Sequence, residues 1–138
     1  PEKHEEAMNI DTDIEHLRAK VKAGAKYIVT QMFFDNKKYF AFVDRLRAEG
    51  ITIPVVPGIK PLTTMNHCTM LPKTFHIDFP TELSAEFEKC HSNDDVKALG
   101  VEWGIQQCRE LRDAGVPGLH FYTMNASLST QRIVEGVF

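Results

Sequence analysis

One side-chain amide stands inside an apolar run. From Ala23 the chain reads Ala-Gly-Ala-Lys-Tyr-Ile-Val-Thr-Gln-Met-Phe-Phe-Asp, and Gln31 falls near the carboxyl end of the apolar part. A β-branched and aromatic run bounded by turn residues predicts a buried strand of a parallel sheet. In parallel α/β folds the carboxyl end of a strand is where ligands bind. A buried amide needs hydrogen-bond partners, and either a ligand or neighbouring backbone can supply them. Upstream, His16 and Lys20 stand one helical turn apart, beside Asp13 at the start of the same helix. A carboxylate, an imidazole and an ammonium so placed could line one groove, or could form an ordinary solvated face.

Other chemistries find less support. His67-Cys68 and Cys90-His91 are adjacent His/Cys pairs, but they do not combine at zinc-like spacing, so no metal site is expected. There is no glycine-rich phosphate loop and no Gly-x-Ser-x-Gly elbow. Asp35 follows a strand as a phosphoacceptor would, but capping of the next helix explains it more simply. Phe33-Phe34 and Phe121-Tyr122 read as core aromatic residues of strands.

These residues need elements to hold them. Thr12-Asp13-Ile14-Glu15 fits a capping box, with Thr12 as N-cap and Glu15 reaching back. Ile14, Leu17 and Val21 give that helix its apolar face, and Gly24 ends it. The strand Tyr27–Phe34 follows. Asp35 or Asn36 then caps a helix with Tyr39, Phe40, Val43 and Leu46 as its stripe and Gly50 as its stop. Ile51 to Ile59 reads as a short strand, with Pro54 at its start or at a bulge. Residues 63–80 are irregular: Thr64 is expected to cap a short helix through Met70, ahead of Pro72. Thr81 is expected to cap a helix to about Cys90, and Ser92 or Asn93 the longest helix, to about Ala114. Gly100 and Gly104, four apart, make a narrow face on that helix which another backbone can approach. Leu119–Thr123 is the last strand, and Ser127 or Ser129 caps a final helix.

A repeat links the parts. Ala-Gly-Ala (23–25), Glu-Gly-Ile (49–51) and Ala-Gly-Val (114–116) each end a helix and feed a strand. Three αβ units of one design imply parallel strands joined by right-handed crossovers. Three strands are too few for a closed barrel, which needs eight, so the sequence is expected to be one partial domain, 1–138, of something larger. The start at Pro1, without Met, points the same way.

The whole chain sets bounds. Its 138 residues are enough for one core, with 43% hydrophobic and 25% charged residues. A formal charge of -3 gives no electrostatic reason to expect nucleic acid or an anionic membrane. No apolar run approaches bilayer length, and the N-terminus has no signal-peptide character. The three cysteines, 68, 90 and 108, are odd in number and widely spaced, which suggests a reducing compartment and a cytoplasmic protein.

Four blocks then take on a shared meaning. Pro1-Glu2-Lys3-His4, Thr30-Gln31-Met32-Phe33-Phe34-Asp35, Pro57-Gly58-Ile59-Lys60-Pro61 and His120-Phe121-Tyr122-Thr123-Met124-Asn125 occur in an order and spacing that closely resembles the methylenetetrahydrofolate reductase family. The resemblance spans the chain. It implies the carboxyl-terminal portion of a (β/α)8 TIM barrel, strands six to eight with their helices. The whole barrel would bind FAD and reduce 5,10-methylenetetrahydrofolate to 5-methyltetrahydrofolate with NADH or NADPH, within one-carbon and methionine metabolism.

The family's catalytic glutamate lies on the first strand, outside this sequence, so the piece alone is not expected to be active. By the same resemblance His4, Asp13 and Lys20 contact FAD, His16 stands where some members use Asn for that purpose, and Ala19 where some use Arg. Gln31 would be the catalytic and substrate-binding glutamine that serves folate and nicotinamide in turn, and Tyr122 a substrate-contacting tyrosine. Ala126 replaces an Arg of other members, and His67 stands near a folate-contacting Gln. A half-barrel with unpaired apolar edges is expected to self-associate, giving a homo-oligomer. The competing expectation is a small stand-alone α/β binding or regulatory module of receiver type, which would need an acidic cluster at its strand ends.

Overall fold

The structure, a computed structural model, describes residues 9–138. The elements run α1 (Ile10–Lys22), β1 (Ile28–Met32), α2 (Asn36–Ala48), β2 (Val55–Ile59), α3 (His67–Phe75), α4 (Thr81–Glu88), α5 (Asn93–Asp113), β3 (His120–Phe121) and α6 (Ser127–Val137). The strands pair in parallel in the order β1-β2-β3. The α/β class and the parallel sheet expected from the repeat are both present.

The repeat has a structural cause. Gly24, Gly50 and Gly115 each take a positive φ, of 108°, 77° and 78°. Behind each, two hydrogen bonds close the helix end. Ala25 N–H donates to the Lys20 carbonyl and Gly24 N–H to Val21; Ile51 donates to Leu46 and Gly50 to Arg47; Val116 donates to Leu111 and Gly115 to Arg112. This is the Schellman arrangement, which satisfies carbonyls that a helix end otherwise leaves open. The next residues then start toward a strand. Pro54 precedes β2, where a missing N–H costs no ladder bond, while its carbonyl accepts from Ile28 N–H at 2.8 Å.

Several caps differ from the sequence expectation. Helix α1 begins before Thr12: Asn9 is its N-cap and accepts from Thr12 N–H at 3.0 Å. Asn9 and Thr12 stand three apart as a cap and its N3 partner do, so the side chain closer to the chain start takes the role. Asp35 and Ser92 cap α2 and α5 as expected, accepting from Lys37 N–H at 3.0 Å and Asp95 N–H at 3.2 Å. Helix α3 starts at His67, later than Thr64 implied, and runs through Pro72. Helix α6 has Ala126 at its N-cap and no side-chain cap. The strands are shorter at both ends than the apolar runs: Phe33 and Phe34 lie beyond β1 yet are fully buried.

The buried apolar residues form two clusters. One joins Ile14, Phe33, Tyr39, Leu46, Val55, Ile59, Leu111 and Ile133; the other joins Met32, Phe34, Leu62, Leu71, Leu83, Phe87 and Val96. Each fully buried large side chain contributes about 1.5–3 kcal/mol. The narrow face of α5 has the expected use. A Cβ on Gly100 would overlap the Leu62 carbonyl, and one on Gly104 would meet Ile133 Cδ1 at 2.5 Å. Gly100 therefore lets α5 hold the backbone just past β2. Cys108, in the first cluster, has its thiol pushed up to about 12 by burial, so it is a packing residue.

Candidate functional site

The site is built at the carboxyl end of β1. Along this strand Thr30 and Met32 are buried, while Tyr27, Val29 and Gln31 are exposed. Simple alternation does not carry along the whole strand, because its pairing with β2 is irregular between Val29 and Met32. Gln31, being exposed, is not a buried amide in this chain, contrary to the reading of its apolar run. The run looks continuous because both kinds of position carry apolar residues. The Gln31 Oε1 accepts from Met32 N–H at 3.1 Å, which orients the amide with its N–H groups still open to a partner. Both sources of partner considered for it thus have a place: backbone takes the oxygen, and the nitrogen remains.

Tyr122 reaches the same point from the far side of β2. Its hydroxyl donates to the Thr30 carbonyl at 2.9 Å, one residue before Gln31. The ring can cross only because Gly58 lies beneath it. A Cβ there would stand 2.7 Å from the ring and 2.6 Å from the Thr30 carbonyl oxygen. Thr30 Oγ1 accepts from Gly58 N–H at 3.0 Å and so fastens the two strands. Burial pushes the Tyr122 hydroxyl upward in pKa, which keeps it a neutral donor. His120 packs edge-on against the Tyr122 ring, centroids 4.7 Å apart. The structure thus brings Gln31 and Tyr122 together.

Behind this pair stands a support that the sequence did not disclose. Gln107 Nε2 donates to the Phe33 carbonyl at 2.9 Å, and Trp103 Nε1 to that of Phe34 at 3.2 Å. Asn36 Nδ2 donates to the Gln107 carbonyl at 3.0 Å and to Glu110 Oε2 at 2.6 Å. Helix α5 therefore fixes the chain directly after Gln31. Two acceptors on one side settle how the Asn36 amide is turned, and its buried Oδ1 is left without a partner. A polar residue spaced along an otherwise amphipathic helix is the only sequence signal for Gln107, and it is a weak one.

A third group contains His67, which the resemblance had already placed near a folate-contacting Gln, and Lys60, whose burial was missed. Lys60, just past β2, is only 4% exposed, and His67, at the start of α3, 8%. Burial holds the Lys60 ammonium below its usual pKa range. Burial, and then the nearby Lys60 charge, hold the His67 imidazole below its own. Lys60 was quoted only as part of a block, because strand position alone does not tell a buried lysine from an exposed one.

The candidate cofactor residues stand on a different element. Asp13, His16 and Lys20 lie on α1, with Asp13 half-buried and the other two exposed. Helix α1 is tied to the end of α2 by Arg18 with Glu49 at 2.7 Å and by Arg45 with Asp11. His4 lies outside the described residues. Asp35 is spent on capping, so the strand ends show no acidic cluster of receiver type among the described residues.

A parallel sheet with helices between its strands, carrying an amide, a phenol and an ammonium at or just past the strands' carboxyl ends, makes this an α/β domain of the kind in which ligands bind at that end. The family model described as methylenetetrahydrofolate reductase matches residues 1–137, and the chain belongs to that family. Methylenetetrahydrofolate reductase 1 of Schizosaccharomyces pombe is 38% identical over 98% of this chain and 23% of its own length. The probable NADPH enzyme of Caenorhabditis elegans is 34% identical, over 97% of the chain and 20% of its own. The 5,10-methylenetetrahydrofolate reductase of Salmonella typhimurium is 32% identical, over 91% and 43%. The chain thus spans less than half the length of these relatives. Among solved structures, an uncharacterized protein from Clostridium thermocellum, described as binding two copies of 5-methyl-5,6,7,8-tetrahydrofolic acid, matches with a TM-score of 0.57. That match covers 92% of this chain and 48% of the other at 14% identity, and it shows a shared fold.

Proposed function

We propose that this chain is the carboxyl-terminal half of the catalytic (β/α)8 barrel of a flavin-dependent methylenetetrahydrofolate reductase. The parent would reduce 5,10-methylenetetrahydrofolate to 5-methyltetrahydrofolate with NADH or NADPH. The observation that carries this reading is that the Tyr122 hydroxyl bonds the Thr30 carbonyl, on the peptide that leads into Gln31, at the strands' carboxyl end. In a closed barrel that end of the strands is where ligands bind. An amide both donates and accepts, so Gln31 can hold a pterin and a nicotinamide carboxamide in turn. Tyr122 supplies a flat wall and a fixed neutral hydroxyl. This chain alone, without the family's first-strand glutamate, would not complete the reaction.

The residues of α1 suit FAD by their chemistry. Asp13 can accept from ribityl or ribose hydroxyls, His16 can donate or accept beside it, and Lys20 can pair with a pyrophosphate. FAD, when bound, supplies the hydride chemistry. His4 is proposed as a further FAD contact, and a homo-oligomer is proposed for the parent.

The test is made on the full-length protein that carries this chain. It should be yellow and should oxidise a reduced nicotinamide with a folate acceptor. Gln31→Glu should lower kcat/KM for folate by about ten-fold or more, roughly 1.4 kcal/mol of transition-state stabilisation, with flavin content unchanged. A colourless protein, or loss of FAD with unchanged folate kinetics, overturns the assignment.

A further inference from the structure

We propose that Gln107, on α5, is a positioning residue for Gln31. Its amide fixes the backbone from which the Gln31 amide is aimed, and Asn36 fixes Gln107 in turn. What Gln31 does with a ligand rests on the folate reductase reading; the chain of contacts that aims it rests on distances.

The contacts start at the peptide that joins Gln31 to Met32. Thr30 Oγ1 donates to its carbonyl at 2.9 Å, and its N–H donates to Gln31 Oε1 at 3.1 Å. The Gln31 side chain is thus turned by its own following peptide, and any rotation of that peptide turns the amide with it. The sheet does not settle that rotation, because the pairing of β1 with β2 is irregular between Val29 and Met32. The next two carbonyls lie beyond the strand. Phe33 and Phe34 send their rings into different apolar clusters. Apolar packing is non-directional, so it sets where this backbone runs and not how its peptides turn. Directional donors do that. Gln107 Nε2 gives the first to the Phe33 carbonyl at 2.9 Å, and Trp103 Nε1 the second to Phe34 at 3.2 Å. Gln107 holds the point nearer Gln31.

Gln107 is itself held. It is only 6% exposed, and its backbone carbonyl accepts from Asn36 Nδ2 at 3.0 Å. The same nitrogen donates to Glu110 Oε2 at 2.6 Å, one turn along α5. Asn36 Oδ1 is enclosed and has no partner. A buried orphan acceptor costs stability and calls for another reason to be kept. The used half of this amide goes wholly to α5, at Gln107 and at the residue one turn on. The first turn of α2 and the middle of α5 are thereby locked at the level of the Phe33 carbonyl.

The test is a double-substitution cycle on the full-length protein, with Gln31→Ala, Gln107→Met and the pair. Met keeps the length of Gln and removes its donor. Gln107→Met should lower kcat/KM for folate by about ten-fold with flavin content unchanged, because small misplacements of a binding group are costly in rate. In the Gln31→Ala background the same substitution should cost about two-fold or less, since no amide is left to aim. Equal losses in the two backgrounds would show a general support of the fold and overturn the inference.

A second readout needs no folate. The Met32 N–H is held by Gln31 Oε1, so its exchange with solvent reports the aim of the amide. Exchange at Met32 should speed up in Gln107→Met as it does in Gln31→Ala, while Ala25, Ile51 and Val116 exchange as in wild type. If Gln107→Met does not fold, Asn36→Ala, which releases only the grip on α5, decides by the same two criteria. If Gln31→Ala leaves folate kinetics unchanged while Gln107→Met frees Met32, the folate reductase reading fails and the positioning stands. If Gln31→Ala impairs folate use while Met32 ignores Gln107→Met, the positioning fails and the reading stands.

Discussion

The two ends of the sheet are built on opposite plans. At the amino-terminal end three helix-to-strand turns repeat one motif, each with a glycine at positive φ and the same pair of hydrogen bonds. At the carboxyl-terminal end no two strand exits are alike. After β1 the chain is pinned by Gln107 and Trp103; after β2 it carries Lys60 and His67, both buried; after β3 it passes through Met124 and Asn125, both at positive φ. Uniform turns at one end serve folding. Individual exits at the other leave polar groups whose partners are not in the turn. The division follows from the parallel sheet itself, which gathers all strand exits on one side.

The largest effect is expected where the carboxyl end meets its support. A methyl added at Gly100 would collide with the Leu62 carbonyl, which is backbone and cannot swing aside. Overpacking of this kind costs about 3 kcal/mol, and the better helix propensity of Ala returns about 1. Gly100→Ala should thus lose about 2 kcal/mol in denaturant unfolding. Gly104→Ala should lose less, because Ile133 can change rotamer. Equal losses would show that the backbone after β2 is not held by α5.

This contrast also explains what could be read in advance. Gly24, Gly50 and Gly115 announced the αβ units because a positive φ leaves a residue-type signature. Gly100 and Gly104 announced close packing for a different reason, the lack of a Cβ on one helix face. The caps at Asp35 and Ser92 were legible, while that at Asn9 was not, because Thr12 offered an equally good local pattern. Gln31 and Tyr122 were singled out separately, but their meeting depends on Gly58 and on a tyrosine reaching across a strand. Burial of Lys60 was invisible, since a lysine just past a strand carries no local sign of what covers it. Sequence periodicity reports one element at a time, whereas these sites are made between elements.

At the amino-terminal end a smaller, uniform loss should follow. Gly50→Ala forces a side chain into the left-handed region, a cost of about 1–2 kcal/mol, offset by up to about 1 through reduced freedom of the unfolded chain. A net loss of about 1 kcal/mol, repeated for Gly24→Ala and Gly115→Ala, would confirm that the three turns are equivalent. Binding of folate to the full-length protein should not change. A change in affinity with any of the three would break the proposed division between the ends.

Acid should weaken the carboxyl end selectively through His67. Burial and Lys60 hold its folded-state pKa below the ordinary 6.5, so the unfolded chain takes up the proton first. Stability is then fully present above pH 6.5 and falls as pH drops through and below that value, by at most about 1.4 kcal/mol per pH unit. His67→Gln should flatten this part of the pH profile of unfolding. An unchanged profile would mean that His67 is not buried beside Lys60.

The finest test concerns one hydroxyl. Tyr122→Phe removes the hydrogen bond to the Thr30 carbonyl and nothing else, because the ring still fills the space over Gly58. The stability loss should be about 1 kcal/mol, the usual net worth of one such bond. Its interest lies in where the loss appears. The Thr30 carbonyl belongs to the peptide that carries the Gln31 N–H, so freeing it loosens the strand end that aims the amide. Amide exchange should therefore speed up at Gln31, Met32 and Gly58, and remain unchanged at Ala25, Ile51 and Val116. Acceleration at both ends alike would mean that the sheet opens as one unit, and that the carboxyl end has no independent play for a ligand to exploit.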